Sequence, residues 1–168
     1  MTEMTERQQH MVSVWDRHGY AEFVLRDPDA AIDTMCGDPY IFAAPLGQLL
    51  LGREQVYDFY ANQFLNHVPS DVALEPTTRV VGENHLWDEF IFRFTHECEM
   101  PWLAPGVTPT GRPVELVMNV VVGFEKEKMK YEHLMWDHAS LLTQLGVMDH
   151  PAAQGGLSSP ALLRTLPT

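Results

Sequence analysis

The apolar residues of this chain change their spacing once, near Pro69, and that change limits the folds open to it. Before Pro69 they recur every three to four residues, which is typical of amphipathic helices; after it they alternate, which is typical of strands. The first half predicts helices at 5–25 and at 53–67, and a short strand at 40–43. It also predicts a short helix that begins at Pro28, carries Ile32, Met35 and Cys36 as its apolar stripe, and stops at Gly37. The second half predicts strands at 71–75, 77–81, 85–97, 113–124 and 129–137, then a helix at 140–146. Helices followed by strands indicate an α+β domain.

Short turns join the predicted strands. Turns at 82–84 and 125–128 connect neighbouring strands as hairpins, so we expect a meandering antiparallel sheet. Such a sheet, strongly curved around the N-terminal helices, encloses one pocket. The sequence shows no linker or repeat, so we expect a single domain at 1–150. Residues 151–168 are rich in Pro, Gly and Ser and predict a loosely ordered tail.

The charge balance disfavours two classes of partner. Eleven Lys and Arg residues against 23 Asp and Glu residues give a net charge of -12, which disfavours nucleic acid and anionic membranes. No apolar run is long enough to span a bilayer, and the polar N-terminus lacks a signal-peptide pattern, so we expect a cytoplasmic protein. Cys36 and Cys98 have no CxxC neighbour and predict neither a disulfide nor a thiolate metal site.

The strand at 85–97 carries the first candidate for chemistry. Its alternation places Phe90, Phe92, Phe94 and His96 on one face, which we expect to be concave. Burial at the end of this aromatic stripe favours a neutral His96 that can act as a base or a hydrogen-bond donor. A core histidine bonded to backbone or water explains the same pattern equally well.

The last strand carries the second candidate. Tyr131, His133, Met135 and Asp137 share one of its faces. Asp137 either caps the following helix or faces a cavity, where desolvation raises its pKa toward that of a general base. On the preceding strand Asn119 stands among valines, either as a donor to a substrate carbonyl or as a structural amide.

Other site classes find little support in the sequence. The eight histidines form no dense ligand motif, and the patterns GxGxxG, Walker lysine and GxSxG are absent, so we expect no metal or nucleotide site. The proline-rich loop at 98–113 contains Trp102 and serves either as a pocket lid or as a rigid surface loop or dimer contact.

Two stretches resemble known families. PLGQLLLGREQVYDFY at 45–60 is similar to ketosteroid isomerases, and DHASLLTQLG at 137–146 looks like the C-terminal signature of SnoaL-like polyketide cyclases. The order of elements resembles the cone of the nuclear-transport-factor-2-like superfamily, to which both families belong. The two acids of the isomerases are missing, since Ala44 and Val120 stand in their places. Asp137 instead matches the acid of the SnoaL-like cyclases.

The resemblance implies a cofactor-independent acid/base enzyme acting on a hydrophobic carbonyl compound, through aldol-type cyclisation or a related isomerisation or hydrolysis. Asp137 would move the proton while His96 or His133 holds the oxyanion. We expect substrate contacts from Trp15, Tyr60, Phe92, Phe94, Trp102, Asn119, Tyr131 and Met135. The alternative is a non-catalytic small-ligand-binding or dimeric interaction module of the same fold.

A homodimer is also expected. An outer sheet face bearing Trp87, Ile91, Val117 and Val121 would be unusually apolar for a monomer.

Overall fold

The computed structural model describes residues 3–149 and 159–165. Its helices are α1 (Glu6–Tyr20), α2 (Pro28–Asp33), α3 (Gly52–Asp58), α4 (His138–Leu145) and α5 (Ser159–Leu163). Its strands are β1 (Met35–Ala43), β2 (Gln48–Leu51), β3 (Ala73–Val81), β4 (His85–Thr95), β5 (Pro113–Glu125) and β6 (Lys128–Trp136). Helices α1 and α3 each continue into a wider π-helical turn, at Ala21–Leu25 and Phe59–Phe64. The predicted α+β class is confirmed.

Polar side chains mark where the N-terminal helices begin. Thr5 and Gln8 bond each other's backbone N–H at the start of α1, which satisfies two amides that the helix leaves unpaired. Asp27 accepts from the amides of Asp29 and Ala30 at the start of α2, and Pro28 occupies the first helical position. The predicted start of α2 is therefore confirmed, but α2 ends at Asp33, and Met35 and Cys36 belong to β1.

The six strands form one open sheet in the order β2-β1-β6-β5-β4-β3. Strands β3 to β6 form the expected antiparallel meander, and β1 pairs with β2 antiparallel. Strands β1 and β6 run parallel, so the six-stranded sheet is mixed rather than antiparallel throughout. No hairpin joins β1 to β6, and a short turn is what imposes antiparallel pairing. The runs predicted at 71–75 and 77–81 form a single strand, β3, whose register shifts between Pro76 and Thr78.

The core lies between the concave face of the sheet and helices α1 and α3. Phe90, Phe92 and Phe94 are buried on that face, as their alternation predicts. On the opposite face Ile91 is also fully buried, whereas Trp87 is 38% exposed. The expected apolar patch is therefore smaller than the sequence indicates.

The C-terminal segment adds a short helix to the fold. Helix α5 contacts β5, and Arg164 just beyond it pairs with Glu75 of β3 and Glu115 of β5. Residues 159–165 thus lie against the sheet, while 151–158 and 166–168 of the predicted loose tail lie outside the described residues. No helix in the described part of the chain is long and apolar enough to cross a membrane.

Candidate active site

A cavity of about 220 Å³ lies between the concave face of the sheet and helices α1 and α3. Its walls are mainly apolar, with many aromatic side chains, and come from elements on both sides of the core. These walls include Phe23, Phe59, Phe64, Phe90, Phe92 and Trp102. An apolar cavity of this kind, with a few polar groups, is the usual form of a small-molecule site.

Four buried polar side chains meet at one part of this cavity. The Nε2 of His18 lies 3.1 Å from Oε1 of Glu22 and 3.2 Å from Oε1 of Glu132. The hydroxyl of Tyr60 donates to the same Glu132 oxygen at 2.9 Å and lies 3.1 Å from His18 Nε2. Glu22, Tyr60 and Glu132 line the cavity. We call these four residues the acid–histidine cluster.

Three separate elements supply the acid–histidine cluster. His18 lies on α1, and Glu22, four residues later, lies on the π-helical turn that continues it, so both share one helix face. Tyr60 comes from the π-helical turn after α3. Glu132 comes from β6, on the face that turns toward the helices.

A second layer orients His18. Its Nδ1 lies 2.6 Å from the hydroxyl of Thr34, and that hydroxyl donates to the carbonyl of Ala31 at 2.6 Å. The Thr34 oxygen therefore accepts from Nδ1–H, and the other ring nitrogen is directed at the two carboxylates. A fixed ring with two satisfied N–H groups is the geometry of an imidazolium.

Charge and burial shift the pKa of each of three members of the cluster. Burial by itself lowers the pKa of His18, but the carboxylates of Glu22 and Glu132 outweigh it and raise the pKa to about 10. Burial raises the pKa of the Glu22 carboxyl, although His18 opposes this rise. Burial, followed by the two nearby carboxylates, raises the pKa of Tyr60 well above its usual value. Tyr60 therefore stays a neutral O–H donor.

A second polar group lines the cavity where α1 approaches the edge strand β3. Arg79 binds Asp88 through Nε at 3.0 Å and Nη2 at 2.7 Å, and binds Asp16 through Nη1 at 2.8 Å. The indole N–H of Trp15 donates to Asp88 at 2.7 Å. All four residues line the cavity, and we call them the mouth group.

Asp137 lies outside this cavity. Its carboxylate accepts from the amide of Ser140 at 2.9 Å and caps α4, which was one of its two sequence-based interpretations. Asp137, Asn119 and Met135 line a separate, more open pocket of about 280 Å³, which we call the surface pocket. The catalytic role of Asp137 stays a prediction, to be tested beside the acid–histidine cluster.

The two predicted histidines also lie apart from the cluster. His133 stacks on Tyr131 with ring centroids 4.5 Å apart and lies 3.2 Å from the Tyr40 hydroxyl, on the face opposite Glu132. His96 is fully buried, and its Nδ1 accepts from the backbone N–H of Thr110 at 3.2 Å. Its Nε2 has no hydrogen-bond partner among the residues described.

The predicted substrate contacts divide between the cavity and other places. Trp15, Tyr60, Phe92 and Trp102 line the cavity. Phe94 lies in the core beside Phe92, with ring centroids 5.3 Å apart. Tyr131 lies on the outer face of the sheet, and Asn119 and Met135 line the surface pocket.

Sequence reasoning missed His18, Glu22 and Glu132. The sequence holds one signal for the first two: His18 and Glu22 lie four residues apart on the apolar face of a predicted helix. Charged residues are almost never fully buried unless they are paired, so this pair on a core-facing stripe indicates a site. Glu132 lies on the face of β6 opposite to the one that carries Tyr131 and His133.

The cluster also has the composition of a divalent metal site. One histidine nitrogen and two carboxylate oxygens lie within 4.8 Å of one another, and Zn²⁺ accepts such donors. The hydrogen bonds from His18 and Tyr60 already satisfy the contacting oxygens, so the arrangement does not require an ion.

Comparison with known proteins places the fold. No protein-family model matches the chain, and no curated protein sequence matches it. Among solved structures, a protein of Jannaschia sp. CCS1 provisionally assigned as a SnoaL-like polyketide cyclase has a TM-score of 0.73 at 15% identity. The match covers 89% of this chain and 100% of that one. AclR of Streptomyces galilaeus, provisionally assigned as a hydroxylase, has a TM-score of 0.67 at 17% identity, covering 95% and 99%.

A third structure extends the comparison to the isomerase-like branch. A hypothetical protein of Catenulispora acidiphila DSM 44928 with a ketosteroid isomerase-like fold, in complex with trimethylamine, has a TM-score of 0.62 at 16% identity. The match covers 80% of this chain and 93% of that one. The resemblance expected from the sequence is confirmed at the level of the fold: this chain has the fold shared by the SnoaL-like polyketide cyclases and the NTF2-like, ketosteroid isomerase-like proteins.

Proposed function

We propose that this chain is an acid/base enzyme that moves a proton on a hydrophobic carbonyl compound bound in the cavity. The observation that carries the proposal is the acid–histidine cluster, which sets two carboxyl groups, an imidazolium and a phenol against an aromatic wall. Burying such a network often costs stability relative to an apolar core. Strongly shifted pKa values inside a cavity are typical of catalytic groups.

The geometry supports distinct roles for the cluster members. Glu22 lines the cavity, and burial raises the pKa of its carboxyl group, which makes the carboxylate a stronger proton acceptor. Tyr60 lines the cavity with a neutral hydroxyl, which donates to Glu132 in the structure and would turn to donate to a substrate oxygen. His18 lies behind them and, with Glu132, sets their position and charge, so it is a positioning residue.

The proposed step is removal of a proton next to the substrate carbonyl. The C–H bond breaks and its proton passes to the Glu22 carboxylate. The electron pair of that bond forms the C=C bond of an enolate, and the π pair of the carbonyl moves onto its oxygen. The Tyr60 hydroxyl stabilises that oxygen by donating a hydrogen bond in a water-poor site. The resulting enolate either attacks a second carbonyl, closing a ring whose new alkoxide takes the proton from Glu22, or takes that proton back at another carbon, which isomerises the compound.

The comparisons support this class of chemistry without naming the substrate. Two of the similar structures are provisionally assigned as SnoaL-like polyketide cyclases. Another, TerC, was crystallised with polyporic acid. A cavity of about 220 Å³ is smaller than a typical drug-sized pocket, which favours small substrates.

The direct test is proton exchange at carbon, because it needs no knowledge of the natural product. Acetylacetone and small aryl ketones are incubated with the protein in deuterated buffer, and loss of the α-proton signal is followed by NMR. We expect Glu22→Gln to slow exchange by at least about a hundredfold, since it removes the proton acceptor. We also expect Tyr60→Phe to slow exchange, because it removes the donor.

Two variants serve as controls. Glu54→Gln makes the same change on an exposed glutamate and should leave exchange unchanged. Asp137→Asn tests the sequence-based assignment. If exchange survives Glu22→Gln but is lost in Asp137→Asn, the cluster is not the site. Thermal melts and near-UV circular dichroism establish that each variant is folded.

One observation favours a second candidate, the non-catalytic ligand-binding module. Asp137, the acid that matches the SnoaL-like pattern, serves as a helix cap in this structure. A module predicts that aryl ketones raise the melting temperature while none exchanges its α-protons. Adding EDTA or Zn²⁺ to the same assay shows whether the cluster acts with a metal ion.

A further inference from the structure

The guanidinium of Arg79, in the mouth group, is held in one orientation by its neighbours. Arg79 lies directly opposite Asp88 in the pairing of β3 with β4, and their side chains meet through two hydrogen bonds. Asp88 is buried and takes a third hydrogen bond from Trp15. A paired, bidentate guanidinium of this kind is held in one plane, so little rotational freedom remains to be lost when it binds an anion.

The third contact of Arg79 is of a different kind. Its Nη1 binds Asp16, whose side chain is 57% exposed. Exposed ion pairs contribute little free energy, because water solvates both charges well. The ion pair between Asp16 and Arg79 can therefore break at small cost in free energy. A carboxylate of another molecule can then bind Arg79 Nη1 in the position that the Asp16 carboxylate occupies. The number of carboxylates bound to Arg79 then stays the same, while the Asp16 carboxylate turns to water.

The sheet links this position to the acid–histidine cluster. The register continues from Arg79 to Asp88, then to Val120 on β5 and Leu134 on β6, two residues from Glu132. Val120 and Leu134 line the cavity and form an apolar floor between its two polar ends. Three strand spacings separate β3 from β6, about 14 Å along the sheet. One small elongated molecule spans this distance.

We propose that Arg79 binds a carboxylate of the substrate at the cavity mouth in place of Asp16, so that the substrate is a hydrophobic keto acid. The carbonyl end would lie at Glu22 and Tyr60 and the carboxylate end at Arg79. This inference rests on the proposed function for the position of the carbonyl. The competing explanation is that Arg79 only ties α1 to β3 through Asp16.

The two explanations differ in what Asp16 does to ligand affinity. Calorimetry would measure benzoylpropionate, benzoylbutyrate and benzoylvalerate, each against its methyl ester, which has the same shape without the charge. The measured quantity is the ratio of the ester Kd to the acid Kd. In the wild type we expect this ratio to exceed one for at least one chain length, because only that length reaches both polar ends.

Variants then change the ratio in opposite directions. Arg79→Gln should lower it toward one, a loss of about tenfold or more for a hydrogen bond between charged groups. Asp16→Asn should raise it several-fold, because the competing charge is gone. Arg93→Gln removes an exposed arginine from the neighbouring strand and should leave it unchanged. Melting curves check that Arg79→Gln is folded, and Asp16→Asn provides a second test at an exposed position.

Three results would overturn the inference. The first is a ratio of ester Kd to acid Kd of one at every chain length. The second is a ratio that neither Arg79→Gln nor Asp16→Asn changes. The third is that neither the acids nor the esters bind. Because the readout is binding, it is independent of turnover. If Glu22→Gln abolishes proton exchange while Arg79→Gln leaves the ratio intact, only the keto-acid inference fails. If the ratio responds as expected but no variant alters exchange, only the proposed function fails.

Discussion

Raising the pH should destabilise this protein through His18. Burial lowers the pKa of His18, but Glu22 and Glu132 outweigh it and bring the value from 6.5 to about 10 in the folded state. In the unfolded chain His18 loses its proton near 6.5. Between these values the folded state holds one more proton than the unfolded state. This contribution to stability is therefore complete below pH 6.5 and is lost as the pH rises through about 10.

The size of the effect follows from the shift. One pKa unit corresponds to about 1.4 kcal/mol, so the contribution of His18 amounts to at most about 5 kcal/mol. The free energy of unfolding should fall by about 1.4 kcal/mol per pH unit in the alkaline range below the folded pKa. Glu22 acts in the same direction, because its folded pKa is also raised, and stability falls as it ionises.

Urea unfolding at a series of alkaline pH values measures this slope, and NMR of labelled histidine follows the protonation of His18 itself. Glu132→Gln should lower the pKa of His18, because it removes one of the two carboxylates, and should move the loss of stability to lower pH. A free energy of unfolding that stays flat above pH 7, or a His18 signal that titrates near 6.5, would refute the electrostatic account of the cluster.

Three further predictions concern the rest of the fold. Asp137→Ala should lower the free energy of unfolding by about 1 kcal/mol by removing a helix cap, measured by urea titration, with proton exchange unaffected. Gly123→Ala should cost about 1–3 kcal/mol in the same titration, because an added Cβ would lie 2.2 Å from a carbon of the Tyr131 ring. Light scattering at micromolar concentration should show a homodimer, and Trp87→Arg on the outer face should weaken it; a monomeric wild type would contradict this expectation.

Local chemistry explains which parts of the fold were predictable. The alternation after Pro69 and the Asp27–Pro28 start of α2 depend on residues a few positions apart, and the structure agrees with both, although β1 and β2 lie before Pro69. The direction of β1 against β6 depends on chain segments that are far apart, with no turn between them to impose it. The parallel pairing was therefore not accessible to pattern analysis.

The same distinction between local and long-range determinants applies to the candidate site. The sequence alone determined that His18 and Glu22 share a helix face and that Glu132 and His133 lie on opposite faces of a strand, because backbone geometry sets both periods. Only the tertiary structure decided that the Glu132 face turns inward and that Tyr60, 72 residues earlier, donates to Glu132. The side chains of a strand alternate with a period of two whichever of its faces is buried. The packing of the helices against one face of the sheet decides which face that is.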